Sequence, residues 1–289
     1  MHILGTGLTG LVGSRVVELL SPTFTFTNMS RSAGVDITDE KSISSFVSEK
    51  NPDIILHFAA ATNVDVCEEG KILGEESEAW IVNVNGTKNV VKAAELIGKK
   101  CIYISTDFVF DGENPPDGGY TEEDIPSPVN WYGQTKYEGE KVVQTANIPW
   151  SILRIASPYR KEFEKKDFVR AILSRLQAGE QVKGVSDCWI TPTFIDDIAQ
   201  GIQAIITQEQ TGIFHVVGSD SYTPYETAVM IAQVFEADES LIMPVSRQDF
   251  FSGRAKRPYK SILSNAKIGR LGVQMHTFEQ GLEEIRTNS

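Results

Sequence analysis

Apolar runs of strand length recur through the first half of the chain, at Ile3–Leu4, Phe24–Phe26, Ile54–Phe58 and Ile102–Ile104. Between them the apolar positions switch to helical spacing, over Leu11–Leu20, Ser42–Lys50 and Ser77–Ile97. A helix near Trp131–Thr145 and a strand at Trp150–Ile155 continue the alternation. Strands alternating with helices through short connections predict an α/β fold, a Rossmann-type doubly wound parallel sheet. The second half is less regular. It predicts a helix over Phe163–Ala178 ending at Gly179, a turn and helix over Thr193–Ile206, a short strand at Ile213–Val217 and a helix at Tyr225–Phe235. No Pro/Ser-rich linker divides the halves. The reading is a sheet domain over 1–155, rejoined by parts of 187–217, with 156–289 mainly a smaller C-terminal lobe.

Composition narrows the classes. A net charge of −12 disfavours nucleic acid, whose phosphates need clustered Lys and Arg. No apolar run reaches the roughly 18 residues of a membrane span. The N-terminus enters a strand at once, without the charged and apolar regions of a secretory leader, so a cytoplasmic protein is expected. Cys67, Cys101 and Cys188 lie far apart, an odd set that reads as buried thiols in a reducing compartment. His2, His57, His215 and His276 lack metal-ligand spacing, and no G-x-S-x-G elbow occurs. Neither a metal nor a Ser/His/Asp triad is expected. The acidic stretches Glu75–Glu78 and Glu122–Asp124 read as solvated turns.

Chemistry first shows at residues 5–13, Gly-Thr-Gly-Leu-Thr-Gly-Leu-Val-Gly, between the first strand and the first helix. Glycine there permits a tight turn and lets backbone N–H groups approach a pyrophosphate, with the helix N-terminus adding positive potential. The spacing fits two registers, Gly5/Gly7/Gly10 and Gly7/Gly10/Gly13. Near the end of the second strand an NAD site usually places Asp or Glu. This chain has Asn28, Ser30 and Arg31. Nothing there repels a 2′-phosphate and Arg31 could pair with one, so NADP is the expected cofactor, with NAD as the alternative.

Tyr132 and Lys136, four residues apart in a helical pattern, share one helix face. Carbonyl reduction needs a proton donor beside a hydride donor. A phenol with an ordinary pKa of about 10 works near neutrality only with help, and a neighbouring ammonium gives it. Ser105 and Thr106 end the fourth strand, at the sheet edge where ligands bind. A hydroxyl there can donate to a substrate carbonyl oxygen.

Assembled, these segments resemble the extended short-chain dehydrogenase/reductases and, within them, the dTDP-4-dehydrorhamnose reductase family, over nearly the whole chain. Thr6–Gly13 resembles the family's cofactor loop, Asp36–Asp39 its segment beside the adenine, and Ala59–Asp65 its loop over the cofactor. Ser105–Gly112 and Tyr132–Lys136 resemble its substrate segment and catalytic helix, and Ile190–Thr193 and Arg257-Pro258 also match. The resemblance implies that Thr106 orients a sugar ketone, Tyr132 protonates its oxygen, and Lys136 holds the nicotinamide ribose and tunes Tyr132. It implies cofactor contacts from Gly7, Leu8, Thr9, Gly10, Leu11, Val12, Ser30, Arg31, Asp36, Ile37, Ala59, Ala60 and Ala61, together with Tyr132 and Lys136. Ser105, Asp107, Val109 and Phe110 fall to the substrate, a nucleotide-linked 4-keto-6-deoxy sugar, and a homodimer is implied. Two positions depart from the pattern on what should be the substrate side: Ser157 stands where the reductases typically carry Trp, and Asp167 where Asn is usual.

Tyr103–Gly112, with the proline-rich segment after it, is also similar to the regulatory beta subunit of methionine adenosyltransferase. A dinucleotide-binding regulatory subunit is therefore the second reading. A nucleotide-sugar epimerase is the third. A dehydratase would need a second carboxylate beside Asp107, where Phe108 stands.

Overall fold

The computed structural model describes residues 1–287. In the first half, β1 (His2–Thr6), α1 (Leu11–Leu20), β2 (Thr25–Met29), α2 (Glu40–Lys50) and β3 (Ile54–His57) lead to α3 (Val64–Glu69) and α4 (Glu78–Trp80). Then come α5 (Thr87–Ile97), β4 (Lys100–Thr106), α6 (Trp131–Gln144) and β5 (Trp150–Ile155). The second half holds β6 (Pro158–Tyr159), α7 (Phe168–Gln177), β7 (Val182–Val185), β8 (Thr193–Phe194), α8 (Ile195–Thr207) and β9 (Gly212–His215). It ends with α9 (Pro224–Val234), β10 (Ile242–Val245), α10 (Arg247–Phe250), α11 (Ala266–Gly269) and α12 (Phe278–Thr287).

The main sheet has six parallel strands in the order β2-β1-β3-β4-β5-β9. This is the expected doubly wound fold. The order reverses between β1 and β3, and a crevice opens outside the strand ends at such a reversal. Alternate residues of each strand serve two cores. Ile3, Leu56, Ile102 and Leu153 pack under α1 and α8. Leu4, Ile55, Tyr103 and Ile152 pack under α2, α5 and α6. The chain returns from the second half to add β9 beside β5, while the pairs β7–β10 and β6–β8 form small separate sheets. Among the described residues, no helix is long and apolar enough to cross a membrane.

Several elements differ from the sequence reading. The helix expected over Ser77–Ile97 runs without a gap from Glu78 to Ile97, but between α4 and α5 it widens into a π turn at Ile81–Gly86. The wide turn places Asn83 fully inside, where its amide bonds both backbone groups of Ala61, at 2.7 and 3.1 Å. The helix expected from Phe163 starts at Phe168, because the Asp167 side chain caps it by accepting from the Arg170 N–H. Asp167 also accepts from the Arg160 N–H and the Arg170 guanidinium. This departure from the family pattern therefore caps a helix and does not line the groove. The three cysteines are free and buried.

Candidate active site

The glycine loop resolves into one register. Gly7 has φ +67°, and a Cβ there would stand 2.8 Å from the Ala59 nitrogen. A Cβ on Gly13 would meet the Gly7 carbonyl oxygen at 2.5 Å. A Cβ on Gly5, within β1, would meet the Leu8 side chain at 2.5 Å, and Gly5 does not line the cavities over the loop, as Gly7, Gly10 and Gly13 do. Gly7/Gly10/Gly13 is thus the working set. Gly10 starts α1 without a side-chain cap, so first-turn N–H groups remain for an anion.

Two cavities meet over this loop. The inner one, about 500 Å³, is lined by Gly7, Gly10, Leu11, Val12, Ala59 and Ala60, and at its far end by Ser105, Thr106, Asp107, Tyr132 and Lys136. The outer one, about 510 Å³, is lined by Gly7, Thr9, Gly10, Ser30, Arg31, Asp36, Ile37 and Ala59 to Ala61. They share Gly7, Gly10, Ala59 and Ala60, so together they make one groove, crossing the loop from β2 to α6. A dinucleotide fits this plan: the residues that would crowd its diphosphate are glycines, and the helix end beside them offers free donors.

The groove does not gather every residue assigned to it. Leu8 is buried beneath the loop and lines neither cavity. Val109 and Phe110 are fully buried in a separate cluster with Tyr120, Ala156, Val217 and Leu263, the Phe110 ring stacking on Tyr120. They support the site from behind. Conversely, Phe58, Phe108 and Pro158 line the inner cavity without having been singled out for it, beside Thr62 and Val64 of the loop expected over the cofactor. Ser157, the other departure, does face the groove, and with φ +39° it sits in the left-handed region. No periodicity announces these residues. They reach the site because β3, β4 and β5 end there together.

Placement of the chemical groups follows from α6. Asn130 caps the helix by accepting from the Gly133 N–H at 2.8 Å. A Cβ on Gly133 would lie 2.2 Å from the Phe108 carbonyl oxygen. Only glycine lets the first turn of α6 press onto the loop after β4, which brings Tyr132 against Thr106. Phe108 meets the Tyr132 ring edge-on at 5.7 Å. Burial pushes the Tyr132 phenol above its ordinary pKa, while the hydrogen bond with Thr106 pulls it back down. Burial pushes the Lys136 amine down to about 7. Its Nζ donates to the Ile104 carbonyl at 2.7 Å and lies 4.0 Å from the centre of the Tyr103 ring. Burial also raises Asp107 to about 6, although Ser261 and Thr106 both donate to it.

A buried polar chain ties the loop to the helix. His57 bonds the Thr6 hydroxyl at 2.6 Å and the Thr87 hydroxyl at 3.1 Å. Thr87 donates to the Asn83 carbonyl, and the Asn83 amide donates to Thr135, whose hydroxyl donates to the Tyr132 carbonyl. Burial first, and the nearby Lys136 charge second, push His57 down to about 3. This histidine is a neutral strut. Asp65 accepts from Arg257 at 2.7 Å and from the Ala255 N–H at 3.1 Å, linking α3 to the second half.

The family model described as the RmlD substrate binding domain matches residues 1–289. The chain belongs to this family. It is similar to the dTDP-4-dehydrorhamnose reductase of Bacillus anthracis str. Ames, solved in complex with NADP: 31% identity, TM-score 0.90, covering 100% of this chain and 99% of that one. It is also similar to the mouse methionine adenosyltransferase 2 subunit beta, 32% identical over 98% of this chain and 86% of the relative. A third relative, from Haloferax volcanii, is named a probable low-salt glycan biosynthesis reductase. It is 32% identical over 99% of this chain and 97% of its own length. The chain thus has a reductase-like fold, and its relatives include named reductases and a named subunit of another enzyme.

Proposed function

We propose that this protein is an NADPH-dependent reductase of the keto group of a nucleotide-linked 4-keto-6-deoxy sugar, with Thr106, Tyr132 and Lys136 as its catalytic residues. The observation that carries the reading is their convergence at one end of a groove that crosses the glycine loop and reaches Arg31 at the other. A bound nicotinamide supplies a hydride to the keto carbon. Thr106 orients the keto oxygen. Tyr132, kept protonated by its burial, gives that oxygen its proton and is reprotonated from solvent. Lys136 spends one donor on the Ile104 carbonyl, leaving N–H groups for the ribose hydroxyls of the dinucleotide. Phe108 and Val64 help to exclude water.

The test is direct. Purified protein mixed with NADPH and a dTDP-4-keto-6-deoxyhexose should oxidise NADPH in proportion to the alcohol formed. Cofactor binding without turnover of any keto sugar in a panel would move the assignment to the regulatory reading, which the mouse relative supports. A subunit that only binds has no need of the Thr106/Tyr132/Lys136 set, and this favours the enzyme.

Cofactor choice rests on the outer cavity. Arg31 is largely exposed and bonds Asp36 at 2.8 Å, so it is free to turn to a 2′-phosphate beside Ser30 and Ser32. A charge-assisted hydrogen bond of this kind is worth about 1.5–3 kcal/mol. Arg31→Ala should therefore weaken NADPH binding by about tenfold or more while leaving NADH within about twofold. Fluorescence titration of both nucleotides checks this. Tighter NADH binding by the unmodified protein would refute the role of Arg31.

A further inference from the structure

The helix that carries Tyr132 and Lys136 places a third ionisable residue on the same face. Glu140 follows Lys136 by four positions, as Lys136 follows Tyr132, so all three lie along one ridge of α6. Glu140 is fully buried. Its two carboxylate oxygens accept from Arg154 of β5 at 2.9 and 2.7 Å, and Arg154 is 1% exposed. Arg154 in turn lies 3.3 Å from the His215 ring on β9. Neither Glu140 nor Arg154 lines the catalytic groove, and the proposed proton transfer uses neither.

We propose that Glu140 is a positioning residue that keeps the Lys136 amine charged: its carboxylate, locked in place by Arg154, supplies the buried counter-charge one helical turn behind the catalytic lysine. The surroundings of Lys136 offer little else. On β4 it faces the Tyr103 ring, and on β3 the neutral His57 lies beyond that ring. On its own helix stand the protonated phenol of Tyr132 and Glu140. Asp107, after β4, lies at the same end of the groove, where Thr106 and Ser261 donate to its carboxylate, and the charge that acts on Lys136 is that of Glu140. Cys67 of α3 approaches the tyrosine. Arg154 and His215, on β5 and β9, lie behind the carboxylate, so Lys136, Glu140 and Arg154 form a cation–anion–cation array. Burial pulls Lys136 down to about 7, and the opposing influence is Glu140. The lysine is thereby poised near neutrality, and the amine that must hold a ribose and face a phenolate stays available as an ammonium below that point.

The test reads the lysine itself. In protein carrying isotope-labelled lysine, the Lys136 signal is assigned by its loss in Lys136→Met, and its titration is followed by NMR without cofactor. Glu140→Gln removes the counter-charge and leaves Arg154 unpaired, so the Lys136 midpoint should fall by about one pH unit or more. Should that variant fold poorly, the double variant Glu140→Gln/Arg154→Met removes the whole buried pair. Its midpoint should fall between those of the single variant and the unmodified protein. A Lys136 midpoint unchanged in the double variant overturns the proposal, because a purely structural ion pair would alter stability and leave the titration in place. In turnover, the rate should fall as pH rises through the Lys136 pKa, and Glu140→Gln should move that limb to lower pH. The kinetic arm rests on the reductase reading and the NMR arm does not, so the two can fail separately.

Discussion

Tyr132→Phe should lower kcat for keto-sugar reduction by about a hundred- to ten-thousandfold, the usual worth of a placed general acid, with NADPH affinity within about twofold of the unmodified protein. The substitution removes one oxygen and keeps the ring that meets Phe108 edge-on, so the shape of the groove is preserved. What disappears is the proton. Burial holds the phenol above its ordinary pKa, so at neutral pH it is the neutral acid that reduction requires, and Thr106 is its hydrogen-bond neighbour. The other buried acid at this end is Asp107, which burial brings up to about 6 and which bonds the Thr106 hydroxyl at 3.0 Å. If kcat in Tyr132→Phe fell by less than about tenfold, the proton would have to come from Asp107, and Asp107→Asn would then carry the large loss. Single-turnover oxidation of bound NADPH, alongside fluorescence titration of the cofactor, separates chemistry from binding.

The sheet, the glycine loop and the Tyr/Lys pair were legible in the chain because each has a local signature. β1, β3, β4 and β5 are buried on both faces and read as apolar runs, and the two residues on α6 share a face by spacing alone. The choice between glycine registers was not legible. It depends on how close Gly7 lies to Ala59, fifty-two residues away in sequence. The same limit hid the roles of Val109 and Phe110. They follow the Thr106-Asp107 pair in sequence, but the 3-10 turn at Asp107–Val109 rotates them away from the groove and into the cluster with Tyr120. The π turn between α4 and α5 was equally hidden, because it is tied to Asn83 bonding the Ala61 backbone, twenty-two residues away in sequence. The pairing of β7 with β10 joins two four-residue strands whose partners lie sixty residues apart, each too short to show a period. α12 did carry a helical pattern, with Phe278, Leu282 and Ile285 buried, and spacing could have found it.

Arg154→Met should cost about 3–5 kcal/mol of stability, the usual loss when one partner of a buried ion pair is removed. The penalty comes from the partner left behind: Glu140 is 0% exposed, and its carboxylate would keep none of the guanidinium donors that now satisfy both oxygens. Loss of the guanidinium also removes the cation that lies 5.0 Å from the Phe110 ring centre and the positive charge that, after burial, helps hold His215 down at about 3. The double variant Glu140→Gln/Arg154→Met should recover most of the loss, because exchanging a whole buried ion pair for neutral groups of similar volume is often neutral or stabilising. Denaturant unfolding of the four proteins of this cycle gives the coupling between the two residues directly. A double variant as unstable as the sum of the single losses would mean that each residue holds the core through contacts of its own. A strong coupling would instead show a mutually satisfied pair whose net contribution to folding is small. That outcome would agree with a pair retained for the effect of its carboxylate on Lys136, which the titration of Lys136 tests separately.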